Sequence, residues 1–340
     1  MTMSSNCEST ISRGYKAKRI IKEIYAYVIL VVVVAVLSML KGELFQRGNF
    51  LFPANVANLL RMSVPILMIS SAFTLIFITG NMDLSVGSIL SLTTVVNAIL
   101  VLNGFSFLVS LIIVVALGVL LGTINGFLVM KLRITPVIAT LITMNAYQGL
   151  ARYLVPPGIS SITNTETQKM PEWMGFFSKG QVFMGLSWAF IVAIVLLIAL
   201  VILQKKTVFG KYLVAAGGNR TAAELSGINV VKVVWGVYIL LGAVSALAGV
   251  ARASYLLIGE PYTGVGAETE AIIACLLGGT VFSGGEGSVV KSFVGALIIV
   301  CLTFGLKSVI PEYWQLLAKG AVLVFAVVLN HLLSKERIAS

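Results

Sequence analysis

The stretch GEGSVVKS, residues 285–292, stands one substitution away from the phosphate-cradling pattern GxxxxGK[ST]. Val290 occupies the place of the second glycine. That glycine lets the backbone curl around a phosphate, and the loop works only inside a nucleotide-binding α/β domain. Neither is present in the sequence, so nucleotide binding by this chain is not expected. Acid–base and nucleophilic chemistry have little to draw on. His331, the single histidine, lies at the end of an apolar run, and Cys7, Cys275 and Cys301 lack the paired spacing of a disulfide framework or a metal site. The acids are isolated and form no cluster at reacting distance, which argues against an enzyme. No metal and no cofactor bound by this chain is expected.

Isolated polar groups in an apolar chain do other work. In ITGNMDLSVGSILSL, residues 78–92, Asp83 carries the one charge between two apolar runs. A charge at the centre of a bilayer costs about 2.5–3.5 kcal/mol on insertion scales, so Asp83 should sit at an interface or face protein and water. Its place ahead of Leu84, Ser85 and Val86 predicts a cap on the following helix, the carboxylate meeting the positive end of the helix dipole. Glu268 and Glu270 open a stretch punctuated by Gly278, Gly279, Gly284 and Gly285, which predicts a short, broken or re-entrant helix. Elsewhere in the apolar runs the polar residues are uncharged, among them Ser70, Thr74, Thr93, Asn97, Asn125, Thr140, Thr143, Asn145 and Gln148. Singly, such residues bond between helices. Together they suit a neutral hydroxylated cargo better than an ion, because proton and sodium relays leave acids in mid-span. The candidates for a translocation path, or for a structural junction beside it, are Asp83, Ser85, Asn97, Asn125, Thr143, Asn145, Glu268 and Glu270.

A different kind of segment is GKYLVAAGGNRTAAELSGINVVK, residues 210–232. Thr221 followed by Glu224 has the spacing of a capping box, and Asn219 is an alternative cap. The AAEL run favours helix, and Gly227 can take the left-handed conformation that ends one. About two turns are expected, bracketed by Gly217, Gly218 and Gly227. A helix so short is not stable alone in water and must pack on something. The residues leave open whether that is the protein's own surface or a soluble partner.

The elements that position these residues are apolar. Of 340 residues, 58% are hydrophobic and 11% charged, against about 25% charged in soluble domains. About 20 apolar residues cross the roughly 30 Å hydrocarbon layer. Ten candidate spans fall at 24–40, 60–79, 85–102, 105–130, 134–154, 183–203, 233–257, 268–284, 289–309 and 313–333. The predicted fold is an all-α polytopic membrane protein with about ten transmembrane helices, some short or broken. The net charge of +11 follows the positive-inside rule and not nucleic-acid binding, for no basic recognition helix is present. With the N-terminus inside, 15 of the 24 basic residues fall on the cytoplasmic side. The first span follows Arg13, Lys16, Lys18, Arg19 and Lys22, has no small-x-small cleavage site after it, and is read as uncleaved. The expected organisation is a cytoplasmic tail at 1–23, a membrane domain at 24–333 and a cytoplasmic tail at 334–340. Within that domain, 155–182 is the longest external loop and 204–232 a cytoplasmic loop. DLSVGS at 83–88 and EGSVVKS at 286–292 echo each other faintly, as chance matches of that length also do.

Four stretches resemble the permease subunits of bacterial ABC importers for ribose, xylose, galactose and related compounds: GNMDLSVGSILSL at 80–92, GTINGFLVMKLRITPVIATLITM at 122–144, FGKYLVAAGGNRTAAELSGI at 209–228 and GAETEAIIACLLGGTVFSGGEGSVV at 266–290. They follow the family's order over nearly the whole chain from about residue 60. The resemblance implies a multi-pass protein of the bacterial cytoplasmic (inner) membrane, surrounded by lipid and paired with a second permease chain as a homodimer or heterodimer. It implies an extracytoplasmic sugar-binding protein and a cytoplasmic ATPase that holds the ATP and Mg. It also implies that 209–228 docks on that ATPase, with Gly218, Asn219, Thr221, Ala222, Ala223, Glu224, Leu225, Ser226 and Gly227 at the contact. A passive channel or secondary transporter for small neutral solutes would account for the spans and their polar interior, but not for the capped cytoplasmic helix.

Overall fold

The computed structural model describes residues 24–39, 50–163, 169–183, 185–307 and 311–335. The predicted N-terminal tail and residues 336–340 of the C-terminal tail lie outside the described residues. Each of the ten apolar segments contains a helix: α1 (Ile24–Met39), α2 (Pro53–Ile78), α3 (Val86–Leu102), α4 (Phe107–Met130), α5 (Pro136–Tyr153), α7 (Trp188–Lys206), α10 (Val230–Leu256), α11 (Ala267–Leu277), α12 (Val289–Leu306) and α13 (Glu312–Lys335). Three shorter helices complete the set among the described residues, α6 (Trp173–Lys179), α8 (Val208–Gly218) and α9 (Arg220–Leu225). Among the described residues five helices, α2, α4, α7, α10 and α12, are long and apolar enough to cross a membrane, whereas α1 and α3 are apolar but shorter. The 11 residues of α11 reach about 16 Å, half of the hydrocarbon layer. The chain returns toward that helix through 257–266, where the Gly264 N–H bonds Ser91 Oγ on α3 at 2.9 Å. The shortness expected of this helix is therefore present.

Burial orders the helices. In the most apolar part of α2, 78% of residues are buried inside the chain, and 67% for α10, against 28% for α4 and 17% for α7. So α2 and α10 form the centre, while α4 and α7 turn apolar side chains such as Leu120, Val195 and Ile198 outward. An apolar surface of this extent, with few charges, is what a lipid environment demands. The close contact of α4 with α10 uses small residues four apart: Gly118 and Gly122 lie against the backbone at Gly242 and Tyr238. Close approach of this kind replaces the hydrophobic effect, which does not act between helices in lipid.

The stretch 155–182, expected as a loop, is partly structured. Here α6 is fixed to α10 by Ser178 Oγ donating to Ala251 O at 2.7 Å and by Ser254 Oγ donating to Met174 O. A two-residue ladder then joins β1 (Gln181–Phe183) to β2 (Leu186–Ser187). Serine hydroxyls bonding between segments are a local choice that hydropathy does not reveal.

Candidate functional site

The segment 208–225 folds as two helices. Thr207 caps α8, its Oγ1 accepting from the Gly210 N–H at 3.1 Å. For α9 the cap is Asn219, whose Oδ1 accepts from the Ala222 N–H at 2.9 Å. The Thr221–Glu224 capping box expected from spacing is not formed. Thr221 already lies inside the first turn, since Asn219 supplies the extended backbone a cap position needs, and Glu224 instead pairs with Arg220 at 3.1 Å. The end of the helix follows the expectation. Gly227 has φ +83°, Ile228 N–H bonds Ala223 O and Gly227 N–H bonds Glu224 O, both at 3.0 Å. This is the Schellman closure, which a residue with a Cβ adopts only under strain. From Gly218 to Gly227 every residue except Ala223 is exposed, Leu225 at 85% among them.

What holds α9 is a joint of three backbone segments. The end of α8 meets the α2–α3 turn and the α11–α12 turn. A Cβ at Gly217 would stand 1.8 Å from Ile78 O and 2.7 Å from Gly285 N, and Gly285 N–H donates to Ile78 O at 2.8 Å. In the same joint Gly284 lies against Gly80. From the end of α7, Gln204 grips the α11–α12 turn in both directions, its Nε2 donating to Gly287 O at 2.7 Å and its Oε1 accepting from Val289 N–H at 3.2 Å. The faint echo in the sequence thus marks two turns that share one joint and precede two helix starts, at Val86 and Val289.

Asp83 is not the helix cap that its local sequence predicted. It is 0% exposed, and its Oδ1 accepts from both the N–H and the Oγ of Ser85, at 2.8 and 2.7 Å. Asn125 on α4 donates to Oδ2 at 3.1 Å and to Ser85 Oγ at 2.7 Å. Tyr147 of α5 donates to Asn125 Oδ1 at 3.3 Å, and Tyr238 of α10 donates to Met82 O at 3.0 Å. No basic side chain pairs with Asp83 among the described residues. Hydrogen-bond donors therefore solvate the carboxylate, and they tie the α2–α3 turn to three helices. Ser85 stands at the start of α3 but donates its hydroxyl to Asp83 and leaves the helix without a side-chain cap.

Of the eight path candidates, Asp83, Ser85 and Asn125 are thus brought together, and the other five are not. Asn97 is buried, and its Oδ1 has no partner among the described residues. Thr143 is buried and bonds back to Thr140 O at 3.2 Å, and Asn145 faces outward and bonds Leu141 O. Glu268 lies beside Gly87 at the start of α3. Glu270 forms an ion pair with Lys319 of α13. Sequence reasoning missed Tyr147, Tyr238 and Gln204, none of which carries a local signal.

Comparison with known proteins places this architecture. A family model for the branched-chain amino acid transport system / permease component matches residues 55–327. The ribose import permease protein RbsC of Haemophilus influenzae is 33% identical over 335 residues, 96% of this chain and 98% of its own. The galactose/methyl galactoside import permease protein MglC of Escherichia coli is 32% identical over 326 residues, 92% and 95% of the two chains. The L-arabinose ABC transporter permease protein AraH of Azospirillum brasilense is 34% identical over 292 residues, 85% and 83%. No solved structure matches the chain. With the family model covering most of its length and import permeases aligned from end to end, the chain belongs to the branched-chain amino acid transport system / permease component family.

Proposed function

We propose that this chain is the membrane-spanning subunit of a bacterial ATP-binding-cassette importer for a monosaccharide. An extracytoplasmic binding protein delivers the sugar, a second permease chain completes the path, and a separate cytoplasmic ATPase drives it, binding the ATP and Mg. Both termini then lie in the cytoplasm, on the side of α9. The relatives named for ribose, galactose and arabinose favour a sugar over the amino acids of the family's description.

The observation that carries the reading is α9. A six-residue helix capped at both ends, exposed on every side but one and seated on a rigid joint, has the form of a part made to be held by something else. Leu225 on its outer face leaves an apolar side chain in water that the fold itself does not need. The test is Leu225→Glu in a strain carrying the whole transporter. Membrane insertion and thermal stability should stay at wild-type values, whereas co-purification of the ATPase and ATP-dependent sugar uptake should fall at least about tenfold, as loss of an interface anchor does. Full uptake by this variant would remove the docking role. Uptake that proceeds without any ATPase would point to a channel or secondary transporter.

A further inference from the structure

Between α2, α10, α11 and α12 lies a cavity of about 200 Å³, far larger than the roughly 10–15 Å³ that admits one water. Its existence follows from the shortness of α11, which leaves the space ahead of Ala267 to the segment 257–266. Arg252 of α10 lines it. The guanidinium donates from Nε to Thr263 Oγ1 at 2.9 Å, and its two terminal nitrogens have no hydrogen bond within the described residues. Across the same space stands Glu270, held by Lys319 through one carboxylate oxygen. Pro65 and Phe304 supply apolar wall, and Lys307 stands at the lining as a second basic side chain.

An arginine in an apolar bundle is costly and marks a functional site unless a partner accounts for it. Thr263 accounts for one of its five donors. Glu270, spoken for by Lys319, leaves an acceptor oxygen beside them. We propose that this cavity is a cargo subsite within the permease itself, holding a neutral monosaccharide with Arg252 as its anchoring donor. Each sugar hydroxyl both donates and accepts. A site with free guanidinium donors, a carboxylate acceptor and apolar wall against the C–H faces of the ring matches that chemistry on all three counts. It would recognise any small polyol ring of this class, so the choice among sugars falls elsewhere. The assignment rests on the monosaccharide-import reading for its ligand class, and its test reads binding, not transport.

The purified wild-type chain is titrated with radiolabelled D-ribose, D-galactose and L-arabinose at equilibrium, without binding protein or ATPase. At least one should bind saturably. Arg252→Gln should weaken that binding about tenfold or more, the loss of hydrogen bonds to a charged group. Arg252→Lys retains the charge without the planar fork and should also bind more weakly, which guards against a folding defect in the first variant. Thr263→Val, which frees the guanidinium to shift, should weaken binding several-fold. Saturable binding that is equal in the wild type and in all three variants would overturn the assignment, as would its absence from the wild type. Preference for an anionic competitor such as D-gluconate over the neutral sugars would overturn the ligand class. If instead binding behaves as expected but uptake by the whole transporter proves independent of ATP, the cavity assignment stands and the importer reading fails.

Discussion

The two ends of α11 sit in opposite surroundings. At its C-terminal end the chain turns into the joint, where backbone lies on backbone and a single methyl group at Gly217 has no room. At its N-terminal end Glu270 borders open space shared with Arg252. One end is packed as tightly as a protein interior permits and the other is hollow, although three turns of helix separate them. The difference teaches where movement and cargo can each be placed. A dense joint transmits displacement because packed interiors compress little, and a cavity accepts a guest because nothing inside need be expelled but water. Only a short helix can have one end in each, so the shortness of α11 is what brings the two regions together.

Breaking the dense end should have the largest effect. Gly217→Val places a branched side chain against Ile78 O and Gly285 N, neither of which can move without dragging a turn. Overpacking of this kind costs of the order of 3 kcal/mol or more where backbone is the obstacle. The yield of folded protein in detergent should collapse, and fluorescence-detected gel filtration measures it. A monodisperse Gly217→Val protein at wild-type yield would mean the joint is loose.

The buried carboxylate gives an intermediate effect and sharpens what the joint is built on. Asp83→Leu removes the acceptor for the Ser85 N–H, the Ser85 hydroxyl and Asn125 Nδ2, and each buried donor left unpaired costs about 1–3 kcal/mol. Asp83→Asn keeps one acceptor oxygen but sets an amide against that of Asn125, so it should lose less. Thermal unfolding of the two variants should rank the wild type above Asn and Asn above Leu. Equal losses for Asn and Leu would show that the negative charge, and not hydrogen-bond acceptance, is what the site requires. The smallest effect belongs to the outer face of α9. The Arg220–Glu224 pair is exposed at 57% and 49%, and exposed pairs one turn apart are worth about 0.3–0.5 kcal/mol, so Arg220→Ala should shift stability by no more than that. A larger shift would mean α9 depends on this pair instead of on Asn219 and Gly227.

These features were unequally legible in the sequence. The apolar segments, the limits of α9 and the left-handed Gly227 could be read because each depends on residues within a turn of one another. Even there the choice between Asn219 and Thr221 as cap was open, and the backbone at Asn219 decided it. Asp83 shows where local reading stops. Its cap-like setting was real, but its partner Asn125 lies on another helix, and only the rotation of α4 brings that amide inward. Asn97 and Asn145 stand apart from that cluster for the same reason: a polar residue in an apolar run announces itself without saying which way its helix faces. Arg252 carries no local signal in the sequence. The cavity that gives it meaning is made by the missing length of another element.

The bond between Gly285 N–H and Ile78 O also sets an order of events during synthesis. A helix leaves its last carbonyls without partners of its own, and the one at Ile78 is satisfied by a residue that the ribosome has yet to make. At about 5–20 residues per second the intervening chain takes roughly 10–40 s to emerge. Over that interval α2 and α3 can enter the membrane, yet the turn between them lacks the two segments that complete it. The nascent permease thus carries an open seam until the turn after its eleventh helix arrives, and a chain cut short before that turn can never close it.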